Sequence, residues 1–468
     1  MGILFLFALL PHLVAQSPQA TAQDPPTPPP GQPAKPCSFG GPLLHIPSKA
    51  SGSEGLLVRV SPPEKTRYPE GAPVAVHMNP GPNVSGSAAC LSEQGFIDVG
   101  FLCPGGEYRQ PDGRVWRSGG VVDQRQPNGT ECVESLAEVL AFATGRVRSV
   151  EGKSIQSYVG TAKALTENAG VIGWSYGGNL SVLAMARHGE QFPSLKWYAS
   201  WESPILSPVD GGWGSRFEAN PFYDPATGKV DFSRLRYSPN MPLWVWSRNT
   251  PRRPDWPRGG LYLDGDGNGS FDRNADYGFW VHLDSGPPLK VFYTPLVTRE
   301  ARDRRVFGDE WPHHIATVDE VEERQSHIDA LRHIPGAVKK LPGLAILIFE
   351  SQIGHVTNAA DHPHAIAQTS AWLDAHAKWV RFNPDAHYVE AIMGKKPSRE
   401  IQYPAGRKVS REMIRDLVEP EDNDGGPTDK QGMTAVACEL ADRTYHNNWA
   451  PVLTHVLDLK KAPGSSGR

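Results

Sequence analysis

Short apolar runs alternate with amphipathic stretches along most of the chain from about residue 55. Leu56–Val60 (LLVRV), Val74–Met78 (VAVHM) and Phe96–Cys103 (FIDVGFLC) are bounded by Gly and Pro, the pattern of buried strands. Between Cys132 and Thr144, apolar residues recur at Val133, Leu136, Leu140 and Ala143, which predicts a helix stopped by Gly145. Ile155–Leu165 is read as a second helix and Ala169–Gly173 as a strand. Asn179–His188 is a helix ended by Gly189. Leu195–Trp201, Leu344–Phe349 and Lys378–Phe382 are further strands, with a helix over Ala365–His376. Strands alternating with helices predict an α/β architecture, a mostly parallel central sheet flanked by helices on both faces.

Three regions break this rhythm. Met1–Val14 is apolar and leads into small residues, which resembles a secretory signal peptide over 1–22, although no positive residues precede it. Residues 23–36 hold PPTPPP and predict an extended linker, so the folded part starts near Cys37. Residues 205–342 are rich in Trp, Pro, Gly and charge, with one clear helix near Val318–Leu331, and read as an insertion capping the sheet. The core is thus expected over 37–204 and 343–392, followed by a C-terminal extension, 393–468, that is polar to about Gly432 and then amphipathic.

Composition narrows the class. Lys and Arg number 47 and Asp and Glu 51, a net charge of −4, which offers no basic field for nucleic acid. Gly and Pro number 47 and 44, so many turns and irregular connections are expected. Beyond the leader, no stretch reaches the ~18 apolar residues of a membrane span. A secreted or periplasmic location is the expectation, and it permits disulfides among Cys37, Cys90, Cys103, Cys132 and Cys438. Their spacing selects no pairing and contains no C-x-x-C.

The sharpest chemical signal is Gly173-Trp174-Ser175-Tyr176-Gly177-Gly178, a G-x-S-x-G pattern between a strand and a helix of small residues. A serine at such a turn is pushed out at the carboxyl edge of the sheet, where a base can activate it as a nucleophile. With this motif the chain resembles the α/β-hydrolase superfamily over roughly 55–204 and 343–392. It looks most like secreted esterases and the dienelactone-hydrolase or prolyl-oligopeptidase-like branches. The resemblance implies Ser175 as nucleophile and the Tyr176 N–H as one oxyanion donor. The other donor falls on Asn79 or Gly81 in His77-Met78-Asn79-Pro80-Gly81, where Pro80 has no N–H to offer. The base is expected after the last strand, at His387.

The acid departs from the family pattern, because its usual place after LAILIF falls near Ile353 or Gly354. Glu202, Glu350 and Asp361 are the candidates, with Glu202 first because it ends the 195–201 strand. His355, His362 and His364 crowd the later loop without a distinctive metal spacing.

A second signal lies in the insertion. Asp264, Asp266, Asn268, Ser270 and Asp272 alternate with Gly265, Gly267, Gly269 and Phe271, as in the oxygen-rich start of an EF-hand loop. Ala275 stands where a Glu would complete it, and Asp276 follows. The flanks read as strands or loops, so a structural Ca2+ site is expected, with no organic cofactor. The insertion's aromatics are read as its own core rather than a ligand site. The functional expectation is an exported serine hydrolase acting on a small-molecule or polymeric ester. A peptidase of the same fold and a non-catalytic binding protein with a decayed triad are the alternatives.

Overall fold

The computed structural model describes residues 40–79, 84, 91–120, 130–205, 222–224, 229–245, 257–272, 274–284, 290–350, 363–393 and 429–449. The stretches read as a signal peptide and a Pro-rich linker, 1–22 and 23–36, fall outside them. Among these residues eight strands form the central sheet: β1 (Leu43–Ser48), β2 (Gly52–Ser61), β3 (Ala72–Met78), β4 (Ile97–Phe101), β5 (Ala164–Trp174), β6 (Leu195–Trp201), β7 (Ala345–Phe349) and β8 (Trp379–Phe382). Their spatial order is 1-2-4-3-5-6-7-8. β2 runs antiparallel to both its neighbours, and every pairing from β4 across to β8 is parallel.

Alternation along the strands builds two cores. Ile346 and Ile348 face one side of β7, while Ala345, Leu347 and Phe349 face the other. The first side is covered by α1 (Thr130–Ala143), α2 (Tyr176–His188), α5 (Ile334–Lys340) and α6 (Pro363–Asp374). On the second side lies α8 (Asp429–His446), whose Met433, Val436, Ala437, Leu440 and Ala441 are buried against Ala75, Ile172 and Trp197. The stretch read as an extension thus supplies the cover of one sheet face. Gly432 is required there, since a Cβ would lie 2.3 Å from the Phe349 ring.

The reading of Ile155–Leu165 as a helix is corrected. A single turn, Ile155–Tyr158, forms before Gly160 takes φ +59°, and β5 has begun by Ala164. The main core also resumes before residue 343, since Ala330, Ile334, Ala337 and Leu341 pack into it.

The insertion carries two three-stranded sheets. One joins Leu235–Ser238, Gly260–Leu263 and Tyr277–Gly278; the other joins Trp244–Val245, Trp280–Asp284 and Lys290–Phe292. With α3 (Pro295–Asp303) they enclose a separate core of Phe232, Leu261, Leu263, Tyr277, Phe279, Val291 and Tyr293. α4 (Val318–Ile328) starts at a capping box between Thr317 and Glu320. A disulfide joins Cys103, just beyond β4, to Cys132 in the first turn of α1, and Cys438 is a buried thiol. No helix of the described residues is long and apolar enough to cross a membrane.

Candidate active site

β5 ends at Trp174 and α2 starts at Tyr176, leaving Ser175 alone at the turn with φ +51°. A non-glycine residue in this region stores about 1–3 kcal/mol of backbone strain, a feature concentrated at functional sites. The surroundings hold the strain in place. Ser175 N–H donates to the Trp201 carbonyl at 2.7 Å, and its own carbonyl accepts from Gly178 N–H at 2.9 Å. The motif glycines permit close approach: a Cβ on Gly177 would lie 1.9 Å from the Met78 carbonyl oxygen, and one on Gly173 would lie 2.5 Å from the Gly178 Cα. Burial pushes the Tyr176 phenol well above its ordinary pKa, with Arg324 of α4 opposing.

The ends of four adjacent strands form a row. β6 lies beside β5 with Trp201 opposite Trp174, so Glu202 follows next to Ser175. Glu202 also has a left-handed backbone, φ +46°, is 1% exposed, and donates its N–H to the Phe349 carbonyl at 3.0 Å. Glu350, wholly buried, comes next at the end of β7. Its N–H donates to Asn383 Oδ1 at 3.0 Å, and Asn383 Nδ2 donates back to the Glu350 carbonyl at 3.2 Å. Asn383, after β8, has φ +57°. Beneath the row, the Tyr198 hydroxyl donates to the Gly178 carbonyl at 3.2 Å and Ser203 Oγ to the Gly173 carbonyl at 3.3 Å. These bonds hold the end of β5 and the start of α2 on either side of Ser175.

Asn79 follows β3 directly and is half-buried. The tight contact of Gly177 with Met78 sets this segment against the first turn of α2, so Asn79 and Tyr176 lie on adjoining backbone. Gly81 and Asp361 are outside the described residues, as are His355 and His362.

His387 lies on the segment that follows β8 and packs on α8. α8 runs antiparallel to the parallel strands, from Gly432 against Phe349 to Ala441, whose carbonyl accepts from Asn168 Nδ2 at 2.9 Å near the start of β5. Arg443, one turn further on from Glu439, lies over the ring of Trp379, the first residue of β8. After β8 the chain is drawn toward this end. Asp385 N–H donates to Glu439 at 2.8 Å, and the Asp385 carboxylate accepts from Arg443 at 3.0 Å and from Arg381. His387 sits in the first turn of α7 (Ala386–Met393), which packs on α8. Burial pushes its pKa below the ordinary value and Asp385 opposes this; its other charged neighbours are Arg443, Arg381 and Asp442. The strand register sets Glu202 beside Ser175, and the Gly177–Met78 contact sets Asn79 beside Tyr176. The sequence analysis assigned no helix after β8, where α7 forms.

The acidic loop of the insertion is the turn of a hairpin, with Leu263 paired opposite Tyr277. Asp264 accepts from the N–H groups of Gly267 and Gly269 at 2.8 and 3.1 Å, and Asp276 from those of Gly265 and Asp272, both at 2.7 Å. Carboxylate oxygens of Asp264, Asp266 and Asp276 lie within 4.8 Å of one another. Hard oxygen donors gathered this closely suit a divalent cation such as calcium.

The strand order, the helices on both faces and the strand–serine–helix turn define the α/β-hydrolase fold, and the chain has that fold. No protein-family model and no curated protein matches the sequence. Among solved structures, the α/β hydrolase GrgF from Penicillium sp. sh18 is similar at 11% identity and a TM-score of 0.31, over 73% of this chain and 88% of that one. A hypothetical protein from Pseudomonas aeruginosa is similar at 11% identity and 0.32, over 74% and 85%. The esterase domain of a Rhodothermus marinus protein is similar at 12% and 0.25, over 73% and 85%. The fold assignment rests on the chain's own topology.

Proposed function

We propose that the chain is an exported serine hydrolase that cleaves a carboxylic ester through an acyl-enzyme. The observation that carries this reading is Ser175 in a left-handed turn between β5 and α2, with the buried Glu202 following the adjacent strand. Ser175 Oγ attacks the ester carbonyl as a histidine takes its proton. The tetrahedral oxyanion is held by the backbone N–H of Tyr176 and by Asn79 or Gly81. The histidine then returns the proton to the departing alcohol, and water releases the acid by the reverse path. Glu202 orients the imidazole and stabilises its charged form. Substitution of His387, His355 and His362 in turn identifies which histidine takes this role.

Export is supported by the signal-like leader and by the Cys103–Cys132 disulfide, which persists in an oxidising compartment. Asp264, Asp266, Asn268, Ser270, Asp272 and Asp276 would hold calcium. The ion would supply positive charge at the hairpin turn and order the insertion without joining the reaction.

The test is labelling with a fluorophosphonate. Wild-type labelling that disappears in Ser175→Ala supports the hydrolase. An inert wild type supports the second reading, a non-catalytic binding protein on the same fold.

A further inference from the structure

Along β3, Val74, Val76 and Met78 point into one core and Ala75 into the other, so the next position on the second face, His77, is expected to be apolar. It carries an imidazole instead. His77 Nε2 lies 2.9 Å from Oδ1 of Asp98 on β4, in close polar contact. The two side chains are 4% and 3% exposed. A buried couple of this kind is often no more stabilising than apolar residues of the same volume. Stability alone is therefore a weak account of it.

Its position suggests another role. The main-chain ladder between β3 and β4 ends at Val76 opposite Val99, whereas the ladder to β5 continues to Met78 opposite Gly173. Past Val76 the end of β3 is thus tied by backbone on the β5 side, and the His77–Asp98 contact continues the tie on the β4 side. Two residues beyond His77 is Asn79. Between them, Met78 is pressed against Gly177, with no room for a Cβ. A small rotation of this strand end would turn Asn79 relative to Tyr176.

We propose that His77 and Asp98 are positioning residues that hold the end of β3 so that the segment starting at Asn79 faces the oxyanion. The proposal rests on the serine-hydrolase reading of the same site. Oxyanion donors act mainly in the transition state, so a misaimed segment lowers turnover while substrate binding is retained. A displacement near 1 Å is enough for a loss of about 100-fold.

The test uses the full chain with the double substitution His77→Leu/Asp98→Leu, which removes the couple and keeps the packing, and with Asp98→Asn alone. The expected result for the double variant is an unchanged melting temperature and KM for p-nitrophenyl acetate. Its kcat falls about 10- to 100-fold, and its affinity for an alkylboronic acid transition-state analogue falls by the same factor. For Asp98→Asn the same split between kcat and KM is expected at a smaller size. Wild-type kcat and boronate affinity in the double variant would show that the couple is only packing. A lower melting temperature with full turnover per folded molecule would lead to the same conclusion. A wild type that reacts with neither substrate nor fluorophosphonate overturns the hydrolase reading and this proposal together, whereas a reactive wild type with a fully active double variant overturns the proposal alone.

Discussion

The core and the insertion solve the problem of folding in opposite ways. In the core, β5 is 11 residues long and β3 and β7 are buried along their whole length, so the sheet is held by apolar surface on both faces. In the insertion, the longest described strand has five residues and the shortest two. Its aromatic core is small, and one of its hairpins turns on a cluster of carboxylates. The core's stability therefore depends mainly on burial, which varies little with solution conditions. On the proposed calcium reading, the insertion's stability depends on how its acidic turn is neutralised. The proposed chemistry sits on the rigid part and the proposed ion on the dependent part.

The largest effect expected is the complete loss of ester hydrolysis in Ser175→Ala, with a melting temperature within about 1 °C of wild type, because this serine contributes chemistry to a scaffold fixed by other groups. Residual turnover above background would detach the core from catalysis. Next, Glu202→Gln is expected to reduce kcat by at least about two decades, while Glu350→Gln and Asp361→Asn leave most of it. Full activity in Glu202→Gln with a dead Asp361→Asn would move the acid to the loop after β7. Removing calcium with EGTA, or Asp264→Ala, is expected to lower the melting temperature by a few degrees while fluorophosphonate labelling of Ser175 persists. Equal melting curves with and without calcium would end the distinction between the two regions.

Two smaller effects concern the far side of the core. For Asp385, burial pushes the pKa up, but Arg381 and Arg443 outweigh it and hold the carboxylate below its ordinary value. A depressed carboxylate stabilises the fold above its unfolded pKa, and the contribution is lost as pH falls through the folded one. Asp385→Asn should therefore flatten the acid side of a melting-temperature profile, below about pH 4. The smallest change is expected for His387→Gln, with kcat within about threefold of wild type, since the charged groups around it are Asp385 and Arg381 beside β8 and Arg443 and Asp442 on α8. A loss of several decades there would restore His387 as the base.

Legibility in the sequence followed the physical origin of each part. The inner strands were readable because both faces are buried, which makes continuous apolar runs such as LAILIF. The elbow was readable because strained geometry demands glycines at fixed offsets from Ser175. β1 and the length of β5 were not, since edge strands and strand beginnings carry mixed residues such as those of Ala164–Asn168. The place of His387 was also hidden. It is decided by Glu439 and Arg443, more than 50 residues away in sequence, through the grip of both on Asp385. Local pattern cannot report a contact of that range.

The cover of the second sheet face has a consequence for how the chain is made. Every strand of the sheet has left the ribosome by Phe382, yet α8 does not begin until Asp429. Until then, Ala75, Ile172, Trp197 and Leu347 have no helix over them, and Arg67 waits for Asp442, a partner 375 residues later in sequence. A nascent chain holding the complete sheet is therefore still a sticky intermediate, half-roofed and prone to self-association. A frameshift or early stop between α7 and α8 would spare every catalytic candidate and is expected to produce aggregate, so the proposed active site is only as durable as a helix made long after it.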